Sequence, residues 1–515
     1  MLQVSVSFYV MTAVYIVLGV AVYRASNQRA KYPLHMLQLE GYSEEEYKNW
    51  IRENGDRIKA WRYAPTSEKT PLVMTDRAKR LFAVHRDINS ACIALAVVVS
   101  AIVCIVHPVA SVVVFVVLCL LIYYFQYAVL IRANRINYPR EMEINRGFFV
   151  EAQEKVRELK KRGLNVVGIT GSFGKTSTKF ITSTVLEKAF RVQNTPSSYN
   201  TPMGLSKVIN NDLDEDDEIF LAELGAKEPG EIEEVAELVQ PSIGIITAIG
   251  PTHMHLFKTI ENIQKTKYEL IEALDKGDVA IFNYDNDYVK PLADKTVDQR
   301  VIRYGMENIE RLDVYAKDVA VHERGSSFTL GFKDKGEVCA ETKLLGKHNI
   351  SNLLAAASVG YVLGMDPEAI SRGISKVEPV EHRLNIVDGG TGVIVIDDAF
   401  NSNPVGARAA LDVLSAFKSG KKIIVTPGMV ELGAMEEEEN YKLGGEIAKV
   451  VDYAILVGKK RTEPIQRGLK DAGFDEEKTI VAANLDEATA SLGSITAPGD
   501  IVLFENDLPD TYDEG

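Results

Sequence analysis

The chain has 515 residues, 25% of them charged, and a formal net charge of −14. That length suits two or three domains and that charge fraction an ordinary folded protein, while the acidity, held mostly in the soluble part, argues against nucleic acid as a partner. Cys92, Cys104 and Cys119 fall in apolar stretches and Cys339 stands alone, so neither a disulfide framework nor a zinc site is indicated.

Residues 2 to 23 carry no charge, and neither does the stretch from Ala91 to Ile131. An uncharged run of roughly 22 residues at about 1.5 Å per residue crosses a bilayer core of about 30 Å. The second run is about twice that length and reads as two crossings turned at His107-Pro108, where proline interrupts the helix. A single tilted span with an interfacial segment is the alternative. The start lacks the basic region and cleavage site of a signal peptide. Arg24, Arg29 and Lys31 follow the first span, which places the N-terminus outside and a basic loop in the cytoplasm. The expected plan is a transmembrane helix at 1–24, a basic cytoplasmic loop at 25–88 and a transmembrane hairpin at 89–132. A connecting helix at 133–163 leads to a central domain at 164–382 and a C-terminal domain at 383–515. The expected location is the cell membrane, multi-pass, with the catalytic domains in the cytoplasm.

The central domain opens on Gly168-Ile169-Thr170-Gly171-Ser172-Phe173-Gly174-Lys175-Thr176-Ser177-Thr178, after the apolar Val166-Val167. A strand, a glycine-containing loop and a helix start are predicted. Gly171, Ser172 and Gly174 would let backbone N–H groups approach phosphate oxygens, Lys175 would meet the outer phosphates, and Thr176 or Ser177 would offer a hydroxyl to Mg²⁺. Ile169 stands where the strict phosphate-loop pattern has glycine, and a structural turn is the plainer alternative.

Apolar runs at Leu164–Thr170, Ile219–Leu224, Ile243–Ile249 and Val279–Asn283, separated by helical patterns, predict a largely parallel sheet covered on both faces. Residues 311 to 345 look antiparallel. A helix follows from Asn349 to about Leu363, and another starts at Asp366-Pro367. Runs at Val393–Ile396, Lys422–Thr426, Tyr453–Val457 and Ile501–Phe504 predict a second unit, with the boundary near Glu381 to Gly392. The fold class is α/β: a phosphate-loop central domain with a mostly parallel sheet and a Rossmann-like C-terminal domain, preceded by transmembrane helices.

Further motifs follow in order: Glu223-Leu224-Gly225-Ala226, Pro229-Gly230-Glu231-Ile232, Pro251-Thr252-His253 and Lys267-Tyr268-Glu269-Leu270. Then come Gly346-Lys347-His348-Asn349 with Asn352, Arg383-Leu384, Ile396 through Pro404 (Ile-Asp-Asp-Ala-Phe-Asn-Ser-Asn-Pro) and Gly428-Met429-Val430-Glu431-Leu432-Gly433. Together with Thr170 to Thr176 they resemble the Mur ligase family, whose own loop does not require glycine at position 169, and most resemble its MurF type, which adds D-Ala-D-Ala. The resemblance implies an ATP-dependent amide ligase of cell-wall precursor synthesis that activates a carboxylate as an acyl phosphate for attack by an amine. It implies that Lys175 and Thr176 hold the phosphates and a first Mg²⁺, and that Glu223 and His253 reach the magnesium sites. Lys267 would be carbamylated and would organise magnesium, Asn349 and Asn352 would read adenine, Arg383 would contact phosphates, and Asp398 would bond the ribose. Catalysis would fall to Lys175, Lys267 and His253.

Plainer explanations stand beside these: a solvated lysine, like Lys265, for Lys267; a capping or core histidine for His253; a helix N-cap for Asn349; and a solvated helix face for Glu436 to Glu439. His255 occupies a place where MurF-type sequences often carry an acid. Apolar spans and a basic loop stand where that type has its uridine-nucleotide domain, and the tail Glu505-Asn506-Asp507-Leu508-Pro509 departs from the expected ending. The partners implied are a membrane, a cell-envelope precursor, UDP-linked or lipid-linked, and an amino acid or dipeptide. A poly-γ-glutamate-synthase-like ligase and a non-catalytic membrane-tethered ATP-binding scaffold are the alternatives.

Overall fold

The computed structural model describes residues 2–58, 60, 71–196, 199–388, 390–400 and 402–508. The chain divides into two compact units, one built chiefly from the residues up to Arg146 and the other from Gly147 to Asp507.

The first unit is helical: Leu2–Arg29, Lys31–Leu39, Glu44–Glu53, Gly55–Ile58, Asp76–Val106, Pro108–Tyr124, and Gln126–Lys161, which continues into the second unit. The runs Phe8–Leu39 and Asp76–Val106 are long and apolar enough to cross a membrane. Pro108–Tyr124 passes the same measure only with Gln126–Lys161, to which it is bent by 64°, so among the described residues the candidate spans number two, or three if that pair counts. Val98, Ile102, Ile105, Val109 and Val113 present apolar side chains outward. The break expected at His107-Pro108 is where one helix ends and the next begins. Two expectations are corrected. Much of the basic stretch 25–88 is helix rather than loop, because Ala30, Leu34, Leu37, Tyr47, Trp50 and Leu81 bury a common core. The connecting segment has no boundary at 133; it is the later part of Gln126–Lys161, with Pro139 inside the helix.

The second unit holds two sheets. The first contains β1 (Asn165–Thr170), β2 (Val192–Asn194), β3 (Ile219–Glu223), β4 (Ile243–Ile246), β5 (Val279–Asn283), β6 (Arg300–Gly305), β7 (Val314–His322), β8 (Gly325–Phe332) and β9 (Gly336–Thr342). Their order is β2-β3-β1-β4-β5-β6-β7-β8-β9, parallel as far as β7 and antiparallel beyond it. Val166, Phe220 and Ile246 pack on one face with Val235, Leu270 and Ile271. Val167, Ile169 and Leu221 pack on the other with Ile181, Val185 and Leu353. Burial on both faces explains why these strands read as continuous apolar runs.

The second sheet contains β10 (Asn385–Asp388), β11 (Ile394–Asp398), β12 (Lys422–Thr426), β13 (Tyr453–Val457), β14 (Thr479–Ala482) and β15 (Ile501–Glu505), ordered β10-β11-β15-β12-β13-β14. Only β10 runs antiparallel to its neighbour. In the first sheet the chain leaves β1 toward β3 on one side and returns to β4 on the other. Ligands of open α/β sheets bind in the crevice that such a reversal opens beyond the strand's carboxyl end. The glycine loop begins there.

Candidate active site

Gly174 caps the helix Lys175–Leu186 with φ 81, a left-handed conformation that suits glycine. A Cβ there would lie 2.7 Å from Asn352 Oδ1, and one on Gly171 would lie 2.2 Å from Thr247 Oγ1. The loop is pinned from β4: Ser172 N–H donates to Ala248 O at 2.6 Å, and Thr247 Oγ1 donates to Phe173 O at 2.6 Å. Gly174→Ala must therefore strain the loop by about 1–3 kcal/mol, and ADP affinity measured calorimetrically should fall about tenfold or more. Unchanged affinity would separate the loop from nucleotide binding.

Around this loop the fold gathers charges in a buried space. Glu223, at the end of β3, is 1% exposed; its Oε1 accepts from Thr176 Oγ1 and Asn200 Nδ2, both at 3.1 Å. Its Oε2 accepts from Lys179 Nζ at 3.2 Å. Lys175 Nζ donates to Gly171 O at 2.8 Å. Burial lowers the pKa of Lys175, of Lys179 and of Arg383, while the Glu223 carboxylate opposes the shift in each. Arg383 comes from the segment before β10, its guanidinium 4.4 Å from the centre of the Phe400 ring. Asp398, at the end of β11, accepts from Leu384 N–H at 3.2 Å, and burial pushes its carboxyl up to about 6.

Lys267 is 2% exposed and donates to Ala226 O at 3.4 Å, whereas Lys265 is exposed, so the solvated-lysine explanation fails for Lys267. Burial, reinforced by the Lys175 charge, pushes its amine down to about 7. His253 begins the short helix Met254–Phe257 but makes no side-chain cap; its Nδ1 instead lies 2.7 Å from Glu431 Oε2. Asn349 is no N-cap either, since Gly346 holds that place. Asn349 Nδ2 donates to Leu345 O at 2.9 Å, Asn352 Nδ2 donates to Asn349 Oδ1 at 3.1 Å, and Asn352 Oδ1 accepts from Thr178 Oγ1 at 3.2 Å. Asn352 thus braces the phosphate-loop helix, and Asn349 holds Asn352 from behind. Ser177 is buried on that helix, and Thr176 is the hydroxyl that faces Glu223.

The solvated face expected at Glu436 to Glu439 holds for Glu437 and Glu438, which are exposed, and is corrected for the other two. Glu439 is buried and paired with Lys442 at 2.8 Å, and burial raises the pKa of Glu436. Sequence reasoning did not single out Lys179, Asn200 or Glu431 as site residues. Lys179 had a signal, one helical turn beyond Lys175. Asn200 and Glu431 reach their partners only through the tertiary fold. Among the described residues no three His, Cys, Asp or Glu side chains converge as a metal cage. One carboxylate and one hydroxyl, Glu223 and Thr176, suit a hard cation that takes its remaining oxygens from phosphate and water.

A phosphate loop at a sheet reversal, with a buried carboxylate beside it and an arginine supplied from a second α/β lobe, is the architecture of an ATP-using enzyme that works between two lobes. Residues 169–360 match the family described as Mur ligase middle domain, and residues 382–505 match Mur ligase, glutamate ligase domain. A relative from Bacillus subtilis, UDP-N-acetylmuramoyl-tripeptide--D-alanyl-D-alanine ligase, is 30% identical over 67% of this chain and 74% of its own. The Mycobacterium leprae protein of the same name is 32% identical over 69% and 73%. The structure of MurF ligase from Thermotoga maritima in complex with ADP has a TM-score of 0.63 and 26% identity, covering 72% of this chain and 82% of that one. The chain belongs to the Mur ligase family, and these relatives are of the MurF type. It is an ATP-dependent amide ligase that forms ADP, with MurF-like activity in peptidoglycan precursor synthesis.

Proposed function

We propose that the chain is a membrane-anchored ligase in which the domains at 164–382 and 383–515 join D-Ala-D-Ala, or a related amine, to the terminal carboxylate of a muramoyl-peptide precursor at the cytoplasmic membrane face. The observation that carries this reading is the Glu223, Thr176, Lys175 and Lys179 cluster beneath the phosphate loop, faced by Arg383. A substrate carboxylate oxygen attacks the γ-phosphorus of ATP, and ADP leaves. The acyl phosphate is then attacked by the amine nitrogen, which loses a proton as phosphate departs. Lys175 and Arg383 neutralise the oxygens being transferred, the largest contribution a protein makes to such a step. Glu223, Thr176 and His253 would hold Mg²⁺, which supplies Lewis-acid charge stabilisation. Asp398 would receive the ribose, and Asn349 and Asn352 would border the adenine.

Lys267 suits carbamylation, since an amine near pKa 7 is substantially neutral and able to attack CO₂. The carbamate would sit beside Lys175, with a charge that attracts rather than repels it.

The test is the full-length protein in detergent with ATP, Mg²⁺ and D-Ala-D-Ala, offered a UDP-linked or a lipid-linked muramoyl tripeptide, with ADP release measured. Release that needs both acceptor and amine supports a ligase, and the preferred acceptor tells whether substrate is met at the membrane. No stimulation by either would favour a scaffold, and stimulation by glutamate chains alone a poly-γ-glutamate ligase. Recovery in the membrane fraction after a carbonate wash is expected from the anchored reading.

A further inference from the structure

Arg383 leaves the chain between two left-handed residues, His382 with φ 59 and Leu384 with φ 47. Non-glycine residues keep that conformation only where the surroundings over-determine it. Leu384 is held twice: its side chain is buried in the same core as Ile396, Leu411 and Leu503, and its N–H donates to Asp398 Oδ1 at 3.2 Å. His382 is half exposed, so burial does not hold it; its Nδ1–H donates to Asp397 Oδ2 at 2.7 Å. The two acceptors are neighbours at the end of β11, and Asp397 faces Asn385 across the β10–β11 pair. Asp397 is fixed in turn, its Oδ1 accepting from Ala399 N–H at 3.2 Å. Consecutive aspartates thus grip the residues on either side of Arg383, whose own N–H donates to Val380 O at 3.1 Å.

The grip matters because of where Arg383 is aimed. Its positive charge disfavours the protonated amines of Lys175 and Lys179, and the Glu223 carboxylate favours the guanidinium, so it reaches the ground beneath the phosphate loop. The backbone on both sides of a residue sets the direction in which its side chain leaves a turn. A relaxed His382 would re-aim the guanidinium, and a misplacement of about 1 Å in a reacting constellation can cost about 10²-fold. We propose that Asp397, acting through His382, is a positioning residue that holds Arg383 toward the outermost phosphate of ATP. The inference rests on the reading of Arg383 as a phosphate contact.

The experiment compares ADP with the non-hydrolysable triphosphate β,γ-imido-ATP, by calorimetry on the full-length protein in detergent with Mg²⁺. R383A should weaken the triphosphate about 10–100-fold, the scale of a lost hydrogen bond between charged groups, and ADP much less. D397A and H382A should each weaken the triphosphate about tenfold, because each removes the same bond and leaves the guanidinium present but misdirected. D397N, whose amide oxygen still accepts from Nδ1–H, should restore most of that loss. ADP affinity near wild type in these variants shows that the site is folded. Adding D397A to R383A should change nothing more. An equal loss for both nucleotides in D397A, a further loss in the double variant, or wild-type triphosphate affinity in D397A and H382A while R383A is weakened overturns the role of Asp397 alone. Wild-type triphosphate affinity in R383A overturns the reading of Arg383 and this inference with it.

Discussion

Replacing Lys267 with methionine is expected to make the enzyme inactive and, in CO₂-free buffer, more heat-stable. The amine is almost fully buried and pushed down from 10.5 to about 7. Between those values the unfolded chain holds the proton and the folded chain does not, so stability rises with pH from about 7 to 10.5. The penalty is complete below 7 and gone above 10.5. At neutral pH it is on the order of 5 kcal/mol, and methionine removes it while filling similar space. Activity moves the other way. If a Lys267 carbamate organises charge at the transferring phosphoryl group, its loss should cost about 10²–10³ in kcat, the scale of losing one preorganised electrostatic group. Bicarbonate should not restore it. In the wild type at limiting bicarbonate, turnover should climb as pH passes 7 because only the neutral amine captures CO₂. Carbon-13 bicarbonate should give a carbamate resonance in the wild type that is missing from K267M. An active K267M, or a wild type without that resonance, would sink the role.

That Lys267 rather than Lys265 is the lysine to single out was legible only through the resemblance, from the order Lys-x-Glu-Leu; its burial is a finding of the structure. The long parallel strands were legible for a physical reason: β1, β3 and β5 are buried on both faces, and their sequences are unbroken apolar runs. β2 is only Val192–Asn194, and β6 carries Arg300 and Arg303, so neither stands out from its surroundings. The helix Asp76–Val106 shows a different limit. Arg77, Lys79, Arg80 and Arg86 mark where the apolar stretch ends, and their charge suggests a loop although the helix continues through them. The motif residues around ATP were found because they lie in compact local patterns. Their partners were not. Asn200 approaches Glu223 from the far side of a loop, and Glu431 approaches His253 from another sheet. Such pairings are properties of topology, and no local periodicity encodes them.

The buried pair Lys179–Glu223 gives the largest expected effect on stability in the opposite direction. Lys179 is 0% exposed and Glu223 1%, and their 3.2 Å contact joins Nζ to Oε2. In a site with little water, two charges repay their desolvation only by meeting each other. Removing one partner strands the other at about 3–5 kcal/mol. Lys175 and Arg383 remain near Glu223 in K179M, so about 3 kcal/mol is expected, or roughly 5–10 °C in the melting of the catalytic unit. The sharper expectation concerns the double variant. Because E223Q also takes the carboxylate from Lys175 and Arg383, the comparison is with E223Q alone: adding K179M to E223Q should cost much less than K179M costs in the wild type, and the double variant should be inactive because the carboxylate beside Thr176 is gone. A merely crowded lysine would behave otherwise: K179M would cost the same with or without E223Q. Melting curves of the two single variants and the double variant decide between these, and ADP affinity shows whether the double variant still shapes the loop. If K179M costs as much in E223Q as in the wild type, the pair does not hold the site together, and Lys179 must be placed there for another reason.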